Sequence, residues 1–462
     1  MTQTASGIEE LRSQLEGQVF RPGDPGYDDA RRVWNADIDR HPAVVARCQS
    51  PEDVHAAIAF AVRHDLEIAV RGGAHSVAGD SAVDDGLVID LSLLNQVIVD
   101  PAARTARVGG GALLADLDAA TQEHGLAVPA GMVSHTGVGG LTLGGGMGWL
   151  TRLHGLSIDN LLSAQVVLAD GRILRAAEDE NAELFWGLRG GGGNFGVVTE
   201  FEFRLHQVGP IVQHGMLFWD HSQGAEVFRL AREVLPGLPP EINVVVGGLN
   251  APPAPFVPEH LHFQLGYALL VTGFGSAEQH AQVMARLRSA MTPQFEFASP
   301  MPYTAVQQLI DEPNAWGRYG YEKGAYLEDL TDEAIAVITE HLPLKQSPLS
   351  VNLFYRLDNA YSAIDDDDTA FSGGRSPRYA AFIVGVSPTP DTVAAERAWA
   401  RSFWEALIPH AIGRGSYVNS LGDAEEDRVA VSYGSKYERL AKLKTEYDPG
   451  NLFHRNANIK PA

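Results

Sequence analysis

A histidine inside a glycine-rich loop is the first feature of this sequence whose residue types could do chemistry. The loop, Arg71-Gly72-Gly73-Ala74-His75-Ser76, follows the apolar run Leu66-Glu67-Ile68-Ala69-Val70. Glycine is retained where a backbone must turn or approach a ligand closely, and consecutive main-chain N–H groups at the end of a strand can bind an anion. The loop therefore suggests a phosphate site, although a lone histidine in such a loop is more often a solvated or capping residue.

Two further glycine clusters lie at residues 131–148 and 190–196. The second contains Gly191-Gly192-Gly193-Asn194-Phe195-Gly196, which satisfies the dinucleotide-binding pattern GxGxxG. That pattern must open a helix, whereas Val197-Val198-Thr199-Glu200-Phe201-Glu202-Phe203 alternates as a strand. A nicotinamide-binding Rossmann enzyme is therefore disfavoured, and we interpret these glycines as a tight turn pressed against a ligand or another strand.

The elements that position these loops alternate along the first half of the chain. Short apolar strands alternate with amphipathic helices up to residue 207, which indicates mixed α/β structure. We predict helices over 54–64 and 112–124, and strands over 67–70 and 86–91.

The pattern of predicted elements changes at about residue 208, where longer β-like runs begin. We predict strands over 242–249, 261–271, 351–357 and 379–386, and helices over 276–291, 331–341 and 392–412. Residues 413–462 return to motifs that belong with the first half. The sequence thus predicts an α+β protein with a discontinuous first domain, 1–207 and 413–462, and a second domain, 208–412, in which helices back an antiparallel sheet.

Composition and charge exclude several classes of function. The 462 residues are 45% hydrophobic, and 35 Lys and Arg against 58 Asp and Glu give a net charge of −23. A field of this sign repels phosphate backbones and anionic lipid, so neither nucleic acid nor a membrane is expected as a partner. The single cysteine, Cys48, excludes an intrachain disulfide and a cysteine metal cage. The N-terminus lacks a signal-peptide pattern, and a cytoplasmic location is expected.

Four segments, in order along the chain, carry a resemblance to a known family. The first is the loop 71–76. The others are Pro129-Ala130-Gly131 through Thr136-Gly137-Val138-Gly139-Gly140 to Gly155-Leu156-Ser157-Ile158-Asp159-Asn160, then Leu184-Phe185-Trp186-Gly187 through Asn194-Phe195-Gly196-Val197-Val198-Thr199, and finally Tyr447-Asp448-Pro449-Gly450-Asn451-Leu452-Phe453 with Asn456-Ala457-Asn458-Ile459. Together they resemble the signatures of berberine bridge enzyme-like FAD-linked oxidases, in the vanillyl-alcohol oxidase class. The resemblance covers 1–207 and 413–462, whereas the middle of the chain shares only architecture.

The resemblance implies a two-lobed FAD-binding domain with FAD as the cofactor. In this family the histidine of the first loop bonds covalently to the 8α-methyl group of the flavin, and that position is His75. Many members add a second bond from a cysteine, but the matching position here is Val133, so a single bond is expected, as in some bacterial members. The resemblance assigns FAD contacts to Arg71, Gly72, Gly73, Ala74, His75, Ser76, Gly79, Val133, Ser134, His135, Thr136, Gly139, Gly140, Gly144, Gly145, Gly148, Asp159, Asn160, Gly196, Val198, Asn456 and Asn458.

Two interpretations of His135 stay open. It follows Val133 by two residues and would bond a phosphate, a flavin oxygen or substrate, or else serve only as a partner of the backbone. Arg152 and His154 fall in a helix-like segment and are interpreted as structural.

Flavin-dependent C–H oxidation needs a group that takes a proton from the substrate. Tyr417, followed by Val418 and Asn419, matches a Tyr-x-Asn element that lies over the flavin in some family members, which makes Tyr417 and Asn419 catalytic candidates. Tyr355 is a second candidate base in the strand-like run 351–357. Alternation there places Tyr355 and Arg356 on opposite faces, and strand tyrosines commonly serve in packing.

The resulting hypothesis is an oxidase that moves hydride from a small alcohol, amine, phenol or polyketide to FAD, with dioxygen reduced to hydrogen peroxide and no metal required. A dehydrogenase of the same fold with another electron acceptor is the alternative, and a carrier that holds FAD without turnover is a third. An apolar or aromatic substrate is favoured by the aromatic residues of the middle segment and of the Tyr-x-Asn element, although aromatic residues are also ordinary core residues. They include Phe218, Trp219, Phe263, Tyr267, Phe354, Tyr355 and Tyr417. The oligomeric state is not predicted.

Overall fold

A computed structural model of the chain describes residues 2–421 and 426–462. The α-helices of these ranges are α1 (Thr2–Gln14), α2 (Tyr27–Arg31), α3 (Pro51–His64), α4 (Leu114–Gln122), α5 (Val138–Gly144), α6 (Thr151–His154), α7 (Ala182–Leu188), α8 (Gly224–Val234), α9 (Ala277–Ala290), α10 (Tyr303–Val306), α11 (Asp332–His341), α12 (Val393–Leu407), α13 (Glu426–Tyr433) and α14 (Tyr437–Tyr447). Over the same residues, no helix has the length and apolar character needed to cross a membrane.

The strands form four sheets within the described ranges. They are β1 (Gln18–Phe20), β2 (Val44–Arg47), β3 (Ile68–Arg71), β4 (Leu87–Asp90), β5 (Val97–Asp100), β6 (Thr105–Gly109), β7 (Leu126–Ala127), β8 (Leu161–Val167), β9 (Ile173–Ala177), β10 (Val197–Arg204), β11 (His206–Gln207), β12 (Ile211–Asp220), β13 (Ile242–Asn250), β14 (Leu265–Gly273), β15 (Phe295–Pro302), β16 (Tyr319–Leu327), β17 (Val351–Leu357) and β18 (Arg378–Ser387).

The first sheet, in the order β1-β2-β4-β3, brings the histidine loop to its place. Strands β2, β4 and β3 are parallel, and α3 connects β2 to β3. The helix begins at Pro51 because Ser50 Oγ accepts a hydrogen bond of 3.1 Å from the Asp53 N–H. Strand β3 ends at Arg71, so the chain passes from a parallel strand directly into the loop 72–76. The helix predicted over 54–64 and the strands predicted over 67–70 and 86–91 are confirmed.

The second sheet is antiparallel and has the order β5-β6-β10-β8-β9. Strand β10 directly follows the glycine cluster at 190–196, which confirms that this GxGxxG pattern opens a strand rather than a helix. Leu440 and Ile459 share a hydrophobic core with Val108 and Phe201 of this sheet. The C-terminal segment therefore packs on the first half of the chain, while the boundaries proposed at 207 and 412 stay predictions.

The third large sheet is antiparallel and has seven strands in the order β15-β12-β14-β13-β17-β18-β16. Helices cover one face of it, since Phe228 of α8, Ile335 of α11 and Phe403 of α12 pack in one core with Phe354 of β17. This arrangement confirms the predicted antiparallel sheet backed by helices. The opposite face is turned toward the glycine-rich loops.

Two predicted elements differ from the structure. The helix predicted over 392–412 ends at Leu407, because Pro409 lacks the N–H that would continue it and a short 3₁₀ turn follows. The strand predicted over 261–271 begins only at Leu265, because residues 259–261 form another 3₁₀ turn.

Two glycines bring the loop 72–76 against the loop that precedes α5. A Cβ atom built on Gly73 would lie 2.5 Å from the Gly137 Cα, and one built on Gly137 would lie 2.8 Å from the Gly73 Cα. Real Cβ atoms essentially never approach another heavy atom so closely, so the two backbones can meet only because both residues lack a side chain.

A buried ion pair holds the C-terminal segment against the glycine cluster at 190–196. Lys444 Nζ lies 2.7 Å from Asp448 Oδ2 and donates to the Asn194 and Phe453 carbonyls, and both charged side chains are fully buried. Asp448 also accepts hydrogen bonds from the Leu452 and Phe453 N–H groups. Every charge in this cluster is therefore paired.

Replacing Gly137 by alanine is expected to destabilise the protein by about 1–3 kcal/mol, the range for forcing extra atoms into a packed site. The control is Gly237→Ala, because a Cβ at Gly237 meets no atom within 4 Å. Unfolding in denaturant should show a lower midpoint for Gly137→Ala alone. Equal midpoints for the two variants would contradict the close-approach argument.

Replacing Lys444 by methionine is expected to lower the free energy of unfolding by about 3–5 kcal/mol, because Asp448 would be left buried and unpaired. Lys442→Met is the matched control. It removes an exposed pair with Glu438, also four residues apart, which solvent screens and which adds little to stability. Thermal unfolding of both variants would measure the difference, and similar midpoints would show that the buried pair is dispensable.

Candidate active site

A cavity of ≈ 910 Å³ lies between the glycine-rich loops and the open face of the seven-stranded sheet. Its volume is near the upper end of the range of about 300–1,000 Å³ for small-molecule and cofactor sites. The sheet contributes Leu270, Leu353 and Phe382 to the wall. The residues of the sequence hypothesis that line the cavity are Gly72, Gly73, Ala74, His75, Ser76, Val133, Thr136, Gly139, Gly140, Gly196, Val198, Tyr355, Tyr417, Asn419 and Asn456.

The part of the cavity lining formed by the glycine-rich loops, called here the loop side, fits FAD. Its glycines leave the backbone uncovered by side chains, and some of its polar side-chain atoms lack a hydrogen-bond partner in the protein. Among the described residues, Asn456 Oδ1 and Arg455 Nε are buried without a hydrogen bond, and both residues line the cavity. Asn458 Oδ1 is also buried without a partner. An unpaired buried polar group costs about 1–3 kcal/mol, so the hydroxyl and phosphate groups of FAD would satisfy atoms that the protein leaves unpaired.

His75 lies between two rings. The Trp34 ring stacks on it with centroids 4.5 Å apart and an angle of 19° between the planes. On another side, His75 Nε2 lies 3.2 Å from His135 Nδ1. Burial lowers the pKa of His75 to about 3, so the imidazole is neutral at physiological pH.

His135 lies behind His75 rather than among the cavity-lining residues. Its loop is anchored on both sides, because the Ser134 N–H and Oγ both donate to the Asp311 carboxylate, at 2.8 and 2.5 Å. The Leu114 N–H donates to the Thr136 carbonyl at 2.9 Å. Burial lowers the pKa of His135, and the negative charge of Asp311 raises it in part. The structure adds a direct contact of His135 with His75, while the two alternatives left open for His135 stay predictions.

Tyr417 and Asn419 form a fixed polar unit in the wall. The Tyr417 hydroxyl oxygen accepts hydrogen bonds of 2.9 Å from the Gly146 N–H and from Asn419 Nδ2. Burial raises the pKa of Tyr417 to about 12, although these two bonds oppose the shift. The phenol is therefore protonated at neutral pH, and its own O–H remains available as a donor.

Tyr355 faces the cavity, as alternation along β17 predicts. Val351, Leu353 and Tyr355 line the cavity, whereas Phe354 packs under the helices on the opposite face. The Tyr355 hydroxyl lies 3.0 Å from Met132 Sδ. Burial raises the pKa of Tyr355 above its usual value.

Glu322 is a cavity residue that the sequence analysis missed. Tyr321 and Ala325 of β16 belong to the helix-covered core, so the alternation turns Glu322 toward the cavity. Ser420 Oγ donates a hydrogen bond to Glu322 Oε1. Burial raises the pKa of Glu322 to about 7, against the effect of that bond. The signal in the sequence was a lone acid in a strand-like run, but only packing could show which face it occupies.

Asp159 and Asn160, both assigned to FAD by resemblance, lie outside the cavity wall and make contacts within the protein. Asp159 forms two hydrogen bonds, of 2.7 and 2.9 Å, with the Arg375 guanidinium, and both side chains are buried. Asn160 Nδ2 donates to the carbonyls of His154 and Leu156. These contacts fasten the segment behind the cavity.

Five other assigned residues also lie outside the wall: Arg71, Gly79, Gly144, Gly145 and Gly148. A Cβ at Gly144 would lie 2.6 Å from Asn419 Cγ, and one at Gly145, where φ is 139°, would lie 3.2 Å from the Tyr417 ring. These two glycines leave space for the Tyr417–Asn419 unit. Whether any of the five touches FAD stays a prediction.

Arg152 and His154 have structural contacts, as interpreted from the sequence. Arg152 is 1% exposed, and its Nε lies 2.6 Å from Asp358 Oδ1. The His154 ring stacks on His206 at 3.8 Å between centroids.

The aromatic residues proposed for the substrate site divide between core and cavity. Phe263, Tyr355 and Tyr417 line the cavity. The other four belong to the hydrophobic cores: Phe218, Trp219, Tyr267 and Phe354.

Comparison with known proteins identifies the loops on this wall. An FAD-binding domain family matches residues 42–177, and a family described as berberine and berberine-like matches residues 416–460. An FAD-linked oxidoreductase of Dictyostelium discoideum is 30% identical over 98% of this chain and 97% of its own. The (R)-6-hydroxynicotine oxidase of Paenarthrobacter nicotinovorans is 30% identical, with 97% of each chain covered.

A solved structure agrees with this. The crystal structure of 6-hydroxy-D-nicotine oxidase from Arthrobacter nicotinovorans superposes with a TM-score of 0.86 at 28% identity, over 97% of this chain and 98% of that one. The FAD-binding match spans the His75 loop, and the berberine-like match spans Tyr417, Asn419 and Asn456. The chain therefore belongs to the berberine bridge enzyme-like family of FAD-linked oxidoreductases.

Proposed function

We propose that this protein is an oxidase that carries FAD through a single bond to His75 and removes hydride from a neutral apolar or aromatic small molecule. Dioxygen takes the electrons and leaves as hydrogen peroxide. One observation carries the proposal: the same cavity is lined by the His75 loop and by the ionisable side chains Tyr417, Tyr355 and Glu322.

The cofactor is held by the loop side of the cavity. The glycines at 72, 73, 139, 140 and 196 give FAD close access to the backbone, and Asn456 and Arg455 offer unpaired polar atoms. When bound, FAD accepts hydride from the substrate and passes the electrons on. Val133 occupies the place where doubly linked relatives carry a cysteine, and Cys48 is buried in the core beneath α3. These positions support one covalent bond rather than two.

The sheet side of the cavity supports an apolar substrate. Its wall includes Leu270, Leu353 and Phe382, and an ion placed against such side chains would lose its hydration without replacement. Phe256 and Phe263 also line the cavity and are 39% and 57% exposed, which suits an apolar entrance. Hydroxylated aromatics are therefore the first compounds to test, and (R)-6-hydroxynicotine, named in one relative, tests whether a basic amine is also accepted.

Tyr417 and Glu322 are proposed to have different roles in proton transfer. With a pKa of about 12, Tyr417 keeps its proton at neutral pH and orients the substrate through its O–H, while Asn419 holds the phenol oxygen. With a pKa of about 7, Glu322 is the better base, because proton transfer is most efficient when the catalytic pKa lies near the working pH. Tyr355 lies on the same wall and would contact the substrate.

Acid precipitation of the wild-type protein is expected to leave yellow flavin on the washed chain, whereas His75→Ala should release all of it. The variant should still bind FAD reversibly, because the remaining contacts are kept. Flavin fluorescence of the pellet measures the link. Release of flavin from the wild type would reject the covalent bond.

Hydrogen peroxide should form in proportion to substrate oxidised by the wild-type enzyme, measured with a peroxidase-coupled dye. Flavin bleaching under anaerobic conditions without peroxide in air would instead indicate the dehydrogenase alternative.

Glu322→Gln is expected to lower kcat by about 10²–10⁴-fold, the usual contribution of general base catalysis. Glu322 must be ionised to accept a proton, so wild-type kcat should rise with pH through about 7 and then level off. The variant should lack this rise.

Tyr417→Phe is the matched comparison, since it removes a hydroxyl from the same wall. It should raise KM and lower kcat while keeping the rise near pH 7. A Glu322→Gln enzyme that retains the rise would show that another group titrates near pH 7 and would reject Glu322 as the base.

A further inference from the structure

The contact between His75 and His135 has a geometry that substrate turnover does not require. His75 lines the cavity, while His135 lies behind it, with 3.2 Å between His75 Nε2 and His135 Nδ1. A nucleophile with a base at hydrogen-bond distance, itself held by further groups, is the arrangement that activates weak nucleophiles in proteins. The hydrogen bonds of Ser134 to Asp311 anchor the loop that carries His135.

We propose that His135 is the base that activates His75 for covalent attachment of FAD, a step that this chain carries out on itself once. The inference rests on the proposed function, since it presupposes a covalent bond at His75. It adds a second histidine whose task is to build the enzyme rather than to turn over substrate.

The step can be written with atoms and electrons balanced. His75 Nδ1 forms a bond to the 8α carbon of the flavin, and that carbon loses one hydrogen as a proton to solvent. The proton on His75 Nε2 passes to His135 Nδ1. The electron pair of the lost C–H bond stays with the flavin ring, which is left reduced by two electrons. Dioxygen then takes two electrons and two protons and leaves as hydrogen peroxide.

The surroundings of His75 favour this direction of proton transfer. The ring is neutral at physiological pH, so a lone pair is available on one nitrogen. As the new bond forms, positive charge develops on the imidazole, and Trp34, stacked at 4.5 Å, can stabilise a cation over its face. The Trp34 N–H donates to the Asn314 carbonyl at 2.5 Å, which holds the indole in this position. His135 is placed to remove the proton before the charge is fully formed.

Asp311 acts on the His135 ring in the direction that the step needs. Burial is the largest influence and lowers the pKa of His135, so the ring is neutral and can accept a proton. The negative charge and the backbone of Asp311 oppose that shift, so Asp311 stabilises in part the cation that the step creates. A histidine that served only to brace the loop would have no need of a ring nitrogen directed at His75.

The test follows attachment rather than turnover. Full-length wild type, His135→Ala and His135→Gln would be produced in flavin-limited cells, mixed with FAD in air, and sampled over time. Acid-precipitated, washed protein is assayed for flavin fluorescence, while absorbance of the undenatured protein after desalting reports reversible binding. Glutamine keeps an acceptor oxygen of similar reach but cannot take up a proton.

We expect both variants to bind FAD reversibly and to attach it at least about 10-fold more slowly than wild type. This factor is smaller than the usual contribution of a general base, because solvent can replace the base in part. Attachment of FAD to His135→Gln at the wild-type rate would overturn the proposal. Loss of reversible binding in both variants would also overturn it, by showing that His135 shapes the FAD site instead. If wild type itself attaches no FAD, the covalent part of the proposed function fails, and the wild-type sample alone reveals this.

Discussion

The close approach of two backbones at Gly73 and Gly137 is the constraint on which the site depends. Because neither residue has a side chain, the loop after β3 and the loop before α5 lie in van der Waals contact. This contact brings His135 within hydrogen-bond distance of His75. Glycine loses more conformational entropy on folding than other residues, so these two positions lower the stability of the fold. In return, their close approach places two histidines from distant parts of the sequence side by side.

Buried charge pairs then fix the sheet relative to these loops. Arg152 pairs with Asp358, and Arg375 with Asp159, so two contacts join the segment around α6 to the segment that leaves β17. Buried pairs add little net stability compared with apolar packing, but loss of one partner is costly. Separation of the two segments would leave these charges buried without a partner, so the pairs oppose it.

Burial suppresses the charge of several ionisable side chains that line the cavity. Burial keeps His75 neutral and Tyr417 and Tyr355 protonated, and it brings Glu322 to a pKa at which it can gain or lose a proton near neutrality. The common cause is desolvation, which disfavours the charged form of each group. An apolar substrate could enter this environment without losing strong hydration, while proton transfer would still have an acceptor.

Local patterns in the sequence determined much of the fold and part of the site. The Ser50 cap fixes the start of α3, the alternation after Gly196 makes β10 a strand, and alternation in β17 turns Tyr355 and Phe354 to opposite faces. The order of the glycine loops identified the family and its cofactor, because those loops are continuous stretches of sequence. Such features depend on neighbours within a few residues, which a sequence displays directly.

Only the tertiary structure decided which apolar face meets helices and which meets the cavity. Glu322 lies in β16, which the sequence analysis did not predict as a strand, and only packing shows that its face is the one left uncovered. Likewise, periodicity could not separate Phe263, in the cavity wall, from Trp219 and Tyr267, in the core. The contact of His135 with His75 spans 60 residues. Such contacts arise from the packing of whole helices and strands. They cannot be predicted from local sequence patterns, because packing depends on the shapes of both contacting surfaces at once.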